Sequence, residues 1–496
     1  MSPFVRRMFF WVLVVTFLVT TPAIILYFIG YRYSFDQGIF IYTGSVTIQA
    51  NPTQNLAIRI DGKSVSSETN QINRSYHVEG IRPGKHLLLV SAPGFTTWSK
   101  EITVRSGIST EFWSVLLARE QYAQTTQSVP EGSVAFFPSP DGNKIALLSK
   151  QNNETLVTIL DTTDGSRRQV FSTSDLSPTA NNPESALQWS LRNNTLLLAT
   201  LQSKTDGEEH TFIIHTDTLI TTDIKDIVSV PHPKGVRWDP TADSVFFLSG
   251  SSLFETPIDT PLQEISLSEN IESYDVVGRV ILSLEPKTGI LYRFSVGSPD
   301  QKKQLTTAPP KEFPVDYTTP FSLTAYDETR IAIRNAGTGD LFLFNNGDNG
   351  ESFKKLSSDA RGAQFSDDGK KLLFWSDWEI SAIFTRKWET QPVREEGERL
   401  DVGRFESAIH SVQWEKDYEH ILFSSEKNIR TIELDDRGGR NMIDILTLPA
   451  SPVQVSSLGK QNKIFFLHTK GEGDTSSSVL SSITFPEPLG LFGFGG

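Results

Sequence analysis

The sequence predicts an all-β protein that is carried on one N-terminal transmembrane helix. Three observations support this prediction: a long apolar run near the N-terminus, a following region in which apolar and polar residues alternate, and a short apolar core that then recurs about every 46 residues. Almost no stretch shows the 3.6-residue periodicity of an amphipathic helix, so helices should be scarce beyond the anchor.

Composition sets the outer limits of the interpretation. The chain has 496 residues, of which 38% are apolar and 21% charged, as in ordinary folded proteins. These values exclude a wholly disordered chain, a collagen and a polytopic transporter. A formal net charge of −13 argues against nucleic acid as a partner. Cysteine is absent, which excludes disulfides, thiolate metal sites, iron–sulfur clusters and a cysteine nucleophile.

The apolar run is long enough to cross a bilayer. Residues 9–30 are uncharged and mostly apolar, and a helix of this length rises about 33 Å. Arg6 and Arg7 precede the run and only Arg32 follows closely, so the positive-inside rule predicts a cytoplasmic tail at residues 1–8 and an exported remainder. The alternative is a cleaved signal peptide, whose apolar core is usually about 7–15 residues. We therefore expect an uncleaved single-pass anchor in the cell membrane, with the lipid bilayer as a partner.

A small β domain is expected after a connector at residues 31–43. Within residues 44–118, apolar residues alternate with polar ones, as in Val46–Ala50 and again in Leu56–Ile60. Asp61-Gly62-Lys63 interrupts the pattern as a tight turn. Five or six short strands fit into this length, which predicts a small antiparallel sandwich.

The order of turns and strands in this region resembles the PEGA domain. The elements that carry the resemblance are Ile58-x-Ile60-Asp61-Gly62-Lys63, Pro83-Gly84-x-His86, Ser91-Ala92-Pro93-Gly94-Phe95, Trp98 and Ile102-x-Val104-x-x-Gly107. The literal four-letter signature is absent, and Ala92-Pro93-Gly94-Phe95 stands where that turn is expected. The resemblance implies an extracytoplasmic adhesion or spacer module of cell-envelope proteins, and it brings no catalytic residues.

A repeat array follows a polar linker at residues 119–132. Its apolar cores are Ile145–Leu148, Leu196–Ala199, Val245–Leu248, Val280–Leu282, Ile331–Ile333, Leu372–Trp375, Ile421–Phe423 and Ile464–Leu467. The spacing is typical of propeller blades. A middle strand of a blade is covered on both faces by neighbouring blades, which explains cores without alternation. Residues 133–485 are therefore predicted to form a β-propeller, and residues 486–496 a C-terminal tail.

Two repeats carry a further resemblance. The stretches that begin Phe137-Pro-Ser-Pro-Asp-Gly and Phe365-Ser-Asp-Asp-Gly resemble the WD40-like repeats of TolB-type propellers, which implies the fold but not an activity. We expect eight blades, or seven if Ile271–Thr307 or Phe321–Asn345 is an insertion. Residues 121–128 are predicted to pair with the last blade and close the ring, which removes an exposed sheet edge.

Candidate chemical sites are few. None of the eight histidines forms a metal-binding pair, and no Gly-x-Ser-x-Gly motif occurs, so we predict no catalytic residue, no metal and no cofactor. Trp378 and Trp388, with Arg386 between them, are the candidate partner-binding residues because tryptophan can stack on sugars or anchor a protein. Core packing is the alternative explanation of these tryptophans.

The combined prediction is an extracytoplasmic binding or scaffold protein of the cell envelope, without enzymatic activity, that recognises protein or glycan through its propeller. Two alternatives remain. One is a propeller hydrolase or lyase acting on envelope glycans, which would be favoured by two facing carboxylates of raised pKa. The other is a subunit of a TolB-like envelope transport complex.

Overall fold

The computed structural model of the chain describes residues 3–34, 39–53, 55–70, 73–178, 183–314, 316–458, 461–470 and 477–486. Helix α1 (Pro3–Phe28) is the one helix among them that is long and apolar enough to cross a membrane, by length and composition. It begins within the predicted tail and ends two residues before Gly30, whose φ of +99° leaves the helical region. The predicted C-terminal tail lies outside the described residues, apart from Pro486.

The predicted connector contains a short hairpin. Strands β1 (Tyr31–Ser34) and β2 (Ile39–Tyr42) pair antiparallel, and the rings of Tyr31 and Tyr42 stack with centroids 4.9 Å apart. The carbonyl of Gly30 accepts hydrogen bonds from the backbone N–H and the hydroxyl of Thr43, at 3.1 Å and 2.8 Å. These bonds hold the end of α1 next to the first strand of the small β domain.

The small domain is a sandwich of two four-stranded sheets, with strand orders β10-β3-β7-β6 and β5-β4-β8-β9. Its strands are β3 (Gly44–Asn51), β4 (Ala57–Ile60), β5 (Lys63–Ser64), β6 (Glu68–Asn70), β7 (Ser75–Ile81), β8 (Gly84–Ser91), β9 (Trp98–Val104) and β10 (Ser109–Leu116). The inward residues of β3 and β9, such as Val46, Ile48 and Ile102, are buried in one core between the sheets. The alternation in the sequence thus places one face of each strand in the core.

The expectation of a purely antiparallel sandwich is wrong at one edge. Strand β10 runs parallel to β3, with Phe112 opposite Ile48 and Val115 opposite Ala50. The reason is that β10 follows β9 of the other sheet and returns beside the first strand, which fixes its direction. The register shifts between Phe112 and Val115, so Trp113 and Ser114 lie in a bulge.

Eight antiparallel sheets follow within the described part of the chain. Seven of them have four strands, and the second has five. The first four are β12 (Ser133–Pro138), β13 (Lys144–Gln151), β14 (Glu154–Asp161), β15 (Arg167–Thr173); β16 (Leu176–Ser177), β17 (Leu187–Trp189), β18 (Leu196–Ser203), β19 (Glu209–His215), β20 (Thr221–Asp223); β21 (Lys234–Trp238), β22 (Ser244–Ser249), β23 (Ser252–Pro257), β24 (Ile265–Ser268); and β25 (Ser273–Val277), β26 (Val280–Leu284), β27 (Leu291–Ser295), β28 (Ser298–Gln304).

The other four sheets include one strand from before the array. They are β29 (Phe321–Asp327), β30 (Arg330–Asn335), β31 (Leu341–Gly347), β32 (Gly350–Ser357); β33 (Gly362–Phe365), β34 (Lys371–Trp375), β35 (Glu379–Phe384), β36 (Arg399–Arg404); β37 (Ile409–Trp414), β38 (His420–Ser425), β39 (Asn428–Glu433), β40 (Met442–Thr447); and β41 (Gln454–Leu458), β42 (Lys463–Lys470), β43 (Ser477–Thr484), β11 (Thr125–Ser128). A four-residue helix α2 (Ile224–Ile227) and a 3-10 turn (Pro183–Ser185) are the other helical segments described.

Apolar clusters between successive sheets explain the repeated cores. On β13, Ala146 and Leu148 pack toward the second sheet, whereas the alternate residues Ile145 and Leu147 pack toward the eighth. Both faces of β13 are therefore covered by neighbouring sheets, as the sequence predicts for a middle strand. This sheet-on-sheet packing around a ring is a β-propeller.

The ring is closed by a strand from the predicted linker. Residues 125–128 pair antiparallel with β43, which confirms the expected closure for this part of residues 121–128. The two divergent stretches of the array form four-stranded sheets of their own, β25–β28 and β29–β32. The first and eighth sheets also share an apolar cluster that joins Phe136 to Leu467.

Replacing residues 125–128 by four glycines should lower the melting temperature of the full chain by more than about 5 °C. The replacement weakens the pairing that covers the edge of β43, and unpaired backbone groups at a sheet edge are costly. Thermal melting in detergent is the measurement, with the same replacement in the exposed turn 205–208 as the control. Equal melting temperatures for the two variants would contradict the closing role of β11.

Candidate functional site

The sandwich lies against loops at one end of the sixth and seventh sheets of the propeller. Antiparallel order brings the first turn and the last loop of each sheet to the same end. The loops involved are 385–398 after β35 and 434–441 after β39, and both hydrogen-bond to the sandwich. The seventh sheet's first turn, 415–419, lies at this end too, and its Glu415 and Asp417 line a cleft with sandwich residues.

A buried ion pair joins the two domains. Lys100 of β9 has a fully buried side chain, and its Nζ donates to Glu433 Oε1 at 2.6 Å and to the Asp435 carbonyl at 2.9 Å. Glu433 Oε2 also accepts from Trp98 Nε1 at 3.1 Å. The backbone N–H and the side-chain amide of Asn441 donate to Oε1, at 2.7 Å and 2.9 Å. The charge and its hydrogen-bond partners are thus supplied by both domains.

Arg437 and Gln391 complete the contact around this ion pair. The Arg437 guanidinium bonds both carboxylate oxygens of Asp435 and donates to the Glu111 carbonyl at 2.7 Å. It lies 4.3 Å from the centroid of the Phe112 ring, close enough for a cation–π interaction. Gln391 accepts from the Glu111 N–H at 3.1 Å and donates to the Ser109 carbonyl at 3.0 Å. Loop side chains of the propeller thereby satisfy backbone groups at the open edge of β10.

A second buried lysine lies just below this contact, inside the propeller. Lys371 of β34 donates to the Tyr418 carbonyl at 2.7 Å and pairs with Glu419. Its Nζ is 3.8 Å from the centroid of the Trp388 ring. Burial raises the pKa of Glu419 above its usual value, although the charge of Lys371 opposes the shift. The sixth and seventh sheets are therefore connected directly beneath the sandwich.

The three residues singled out in the sequence do not form one site. Trp388 lies with Trp98 around a small cavity between the domains, and Arg386 bonds Asn345 Oδ1 and Thr329 Oγ1 of the fifth sheet. Trp378 lies in the turn between β34 and β35, at the other end of the sheet, and 46% of it is exposed. The six residues of β35 separate these ends by about 17 Å. The role of Trp378, Trp388 and Arg386 in partner binding stays a prediction.

A larger cleft of about 460 Å³ opens beside the ion pair, between β3 and β10 of the sandwich and the first turn of the seventh sheet. Trp113 and Ser114 of the β10 bulge line one side, and Glu415 and Asp417 line the other. Glu415 is only 2% exposed. Its Oε2 accepts from the Ser457 hydroxyl at 3.3 Å, and Oε1 has no hydrogen-bond partner within the described residues.

The acidic residues of this turn differ in protonation. Burial raises the pKa of Glu415 to about 8, and the nearby charge of Asp417 adds to the shift. Burial acts in the same direction on Asp417, but the charge and hydrogen bond of His420 outweigh it and hold the pKa of Asp417 below its usual value. Glu415 is therefore a neutral acid at pH 7, whereas Asp417 is an anion. This contrast permits hydrogen-bond donation and acceptance within one cleft.

Among the described residues, no group of three or more His, Asp or Glu side chains is arranged to hold a metal ion.

Sequence reasoning missed the residues that come together at the domain contact. Lys100 carried a usable signal, because it occupies an inward position of β9 between Trp98 and Ile102, where alternation calls for an apolar side chain. Glu415 carried no such signal, since it stands in one of many acidic turns.

The sandwich matches a known protein family. Residues 43–120 match the family described as the PEGA domain. The chain carries a PEGA domain. This agrees with the resemblance found in the turns and strands of that region. No curated protein matches the chain.

Several solved structures are remotely similar to the propeller. The Dos1 propeller has 11% identity and a TM-score of 0.46, and the match covers 74% of this chain and 95% of that one. Hsv2 of Kluyveromyces lactis has 10% identity over 64% and 100%, with a TM-score of 0.36. Dipeptidyl peptidase 4 of Porphyromonas gingivalis has 9% identity over 72% and 58%, with a TM-score of 0.44. Matches at this level carry no information on the function of this chain.

Lys100→Met should destabilise the contact between the PEGA domain and the propeller by about 3 kcal/mol, because it leaves a buried carboxylate without its counter-charge. The measurement is the melting temperature of the full chain, together with protease cleavage of residues 119–124 between the domains. Lys85→Met is the matched control, since Lys85 pairs with Glu101 on the exposed surface of the same domain. Equal melting curves for the two variants would show that the buried pair does not hold the domains together.

Glu415→Gln should stabilise the chain at pH 8.5 and change it little at pH 5. The folded-state pKa of about 8 lies above the usual 4.5, so the contribution of Glu415 to stability is present below pH 4.5 and is lost as the pH rises through 8. Glutamine has no such loss. Melting temperatures at both pH values test this, with the exposed Glu131→Gln as control. An effect that is the same at both pH values would contradict the buried neutral acid.

Proposed function

We propose that this chain is a membrane-anchored extracytoplasmic binding or scaffold protein of the cell envelope, which displays its propeller to a protein or glycan partner. The observation that carries the proposal is the buried Lys100–Glu433 contact. It fixes the PEGA domain on one end of the propeller and leaves the opposite end to solvent. Because α1 leads into the PEGA domain, the opposite, open end is expected to face away from the bilayer.

The short connection between anchor and PEGA domain supports a fixed display. The Gly30 carbonyl is bonded to Thr43, and the stacked rings of Tyr31 and Tyr42 brace the hairpin. A Cβ on Gly107 would lie 2.5 Å from the Tyr42 ring, so the domain packs closely against this hairpin. A spacer held by these contacts suits a protein that keeps a binding surface at a set distance from a membrane.

The open end of the propeller has features of a recognition surface. A cleft of about 810 Å³ lies there among the turns of the third, fourth and fifth sheets, and its lining includes Lys234, Tyr317 and Thr338. Trp378 is exposed at the same end, in the corresponding turn of the sixth sheet. Exposed tryptophans and concave surfaces are both common features of partner-binding surfaces.

Crosslinking in intact cells tests both the orientation and the recognition face. The chain has no cysteine, so Thr338→Cys at the open end or Leu191→Cys at the PEGA-bearing end creates a single reactive thiol. Both positions are exposed. With a membrane-impermeant, cysteine-reactive crosslinker, we expect both variants to be labelled from outside and only Thr338→Cys to yield partner adducts.

Two results would contradict the proposal in different ways. Labelling of both thiols only after lysis of spheroplasts would reverse the topology. Adducts at both positions, or at Leu191→Cys alone, would place recognition elsewhere than the open end.

A further inference from the structure

We propose that the cleft between the PEGA domain and the propeller binds a neutral saccharide. Its volume of about 460 Å³ lies within the range of small-ligand sites, about 300–1,000 Å³. The cleft lies at the PEGA-bearing end, so this binding goes beyond recognition at the open end and does not depend on it. Sites between two domains are frequent places for small ligands.

The bulge in β10 equips one wall with an aromatic side chain. The register shift between Phe112 and Val115 turns Trp113 toward the propeller, where its ring lines the cleft. The indole N–H of Trp113 already donates to Glu111 at 2.9 Å, which holds the ring in place. A fixed indole at the edge of a cleft can stack on the C–H face of a sugar ring. Bulges re-aim side chains in this way next to functional sites.

Glu415 provides an unused hydrogen-bonding group in the opposite wall. Its Oε1 is buried without a hydrogen-bond partner within the described residues, and a buried polar atom left unpaired is destabilising. Rotation of this carboxyl group, which lines the cleft, would let a ligand hydroxyl accept its proton or donate to Oε1. Binding would thereby satisfy a group that the protein itself leaves unsatisfied.

The remaining lining favours an uncharged, hydroxyl-rich ligand. Asp417 contributes a carboxylate and Lys416 an ammonium group, so the wall favours neither an anionic nor a cationic ligand. Thr53 and Asn462 add short polar side chains along the cleft. Sugar hydroxyls both donate and accept, which matches a wall that holds a neutral acid beside an anion.

Calorimetric titration of the full chain tests the proposal. The chain is kept in a detergent without a sugar headgroup, and the probes are cellohexaose, hexa-N-acetylchitohexaose and maltohexaose. We expect at least one probe to bind. Trp113→Ala and Glu415→Ala should each weaken that binding at least tenfold. Glu415→Gln, which keeps a donor and an acceptor, should retain most of it.

Matched controls separate a local effect from a loss of folding. Glu131→Ala removes an exposed acid, and Tyr292→Ala removes an aromatic ring from the fourth sheet, far along the chain from the cleft. Both should bind as the unchanged chain does, and melting temperatures show that every variant is folded. Absence of binding to all three probes overturns the proposal. The proposal is also overturned if the folded control variants lose saccharide binding to the same extent. The same holds if the folded cleft variants lose none of that binding. None of these results depends on membrane orientation or on an envelope partner, so failure here leaves the display function standing.

Discussion

The arrangement of this protein depends on the desolvated ion pair between Lys100 and Glu433. A lysine buried to 0% side-chain exposure is tolerated only where its charge is matched and its protons are accepted. The propeller supplies both requirements, through the Glu433 carboxylate and the Asp435 carbonyl. Because the charges would be unpaired in any other docking arrangement, the pair selects one orientation of the PEGA domain. Such selection is the role in which buried charges are best attested.

The propeller beneath this contact is stabilised by a different interaction. Each middle strand packs apolar side chains against two neighbouring sheets, so the ring is a continuous circle of cores. Lys371 enters it together with its charge partner Glu419, beneath Trp388. The networks around Lys100 and Lys371 both lie at the PEGA-bearing end.

The cleft next to the ion pair follows from the same docking. The PEGA domain contacts the propeller through β9 and β10, and Trp113 and Ser114 of the β10 bulge line a gap opposite the turn at Glu415. A close contact and an open gap thus lie side by side. A ligand in the gap would touch both domains, and the domain contact would already hold the two walls at a fixed separation. Such pre-organisation reduces the entropic cost of binding.

Local patterns in the sequence determined most of the fold. The apolar run predicted α1, alternation predicted the sandwich strands, and cores without alternation predicted the propeller, because each pattern reflects how one strand or helix meets its immediate surroundings. Even the closing strand at residues 125–128 could be expected, from the missing outer strand of the last repeat. The parallel pairing of β10 with β3 could not, since it depends on the path between two sheets.

The candidate site was decided by tertiary structure alone. Lys100 and Glu433 are 333 residues apart, and nothing local to either residue indicates the other. The same holds for Trp113 and Glu415, which come from different domains and face one cleft only because the seventh sheet lies under the PEGA domain. Sequence periodicity reports which side of a strand is buried, but it carries no information on which distant surface covers it. For that reason the tryptophans chosen from the sequence are divided between the two ends of the propeller, and the residues that meet at the domain contact were seen only in the folded chain.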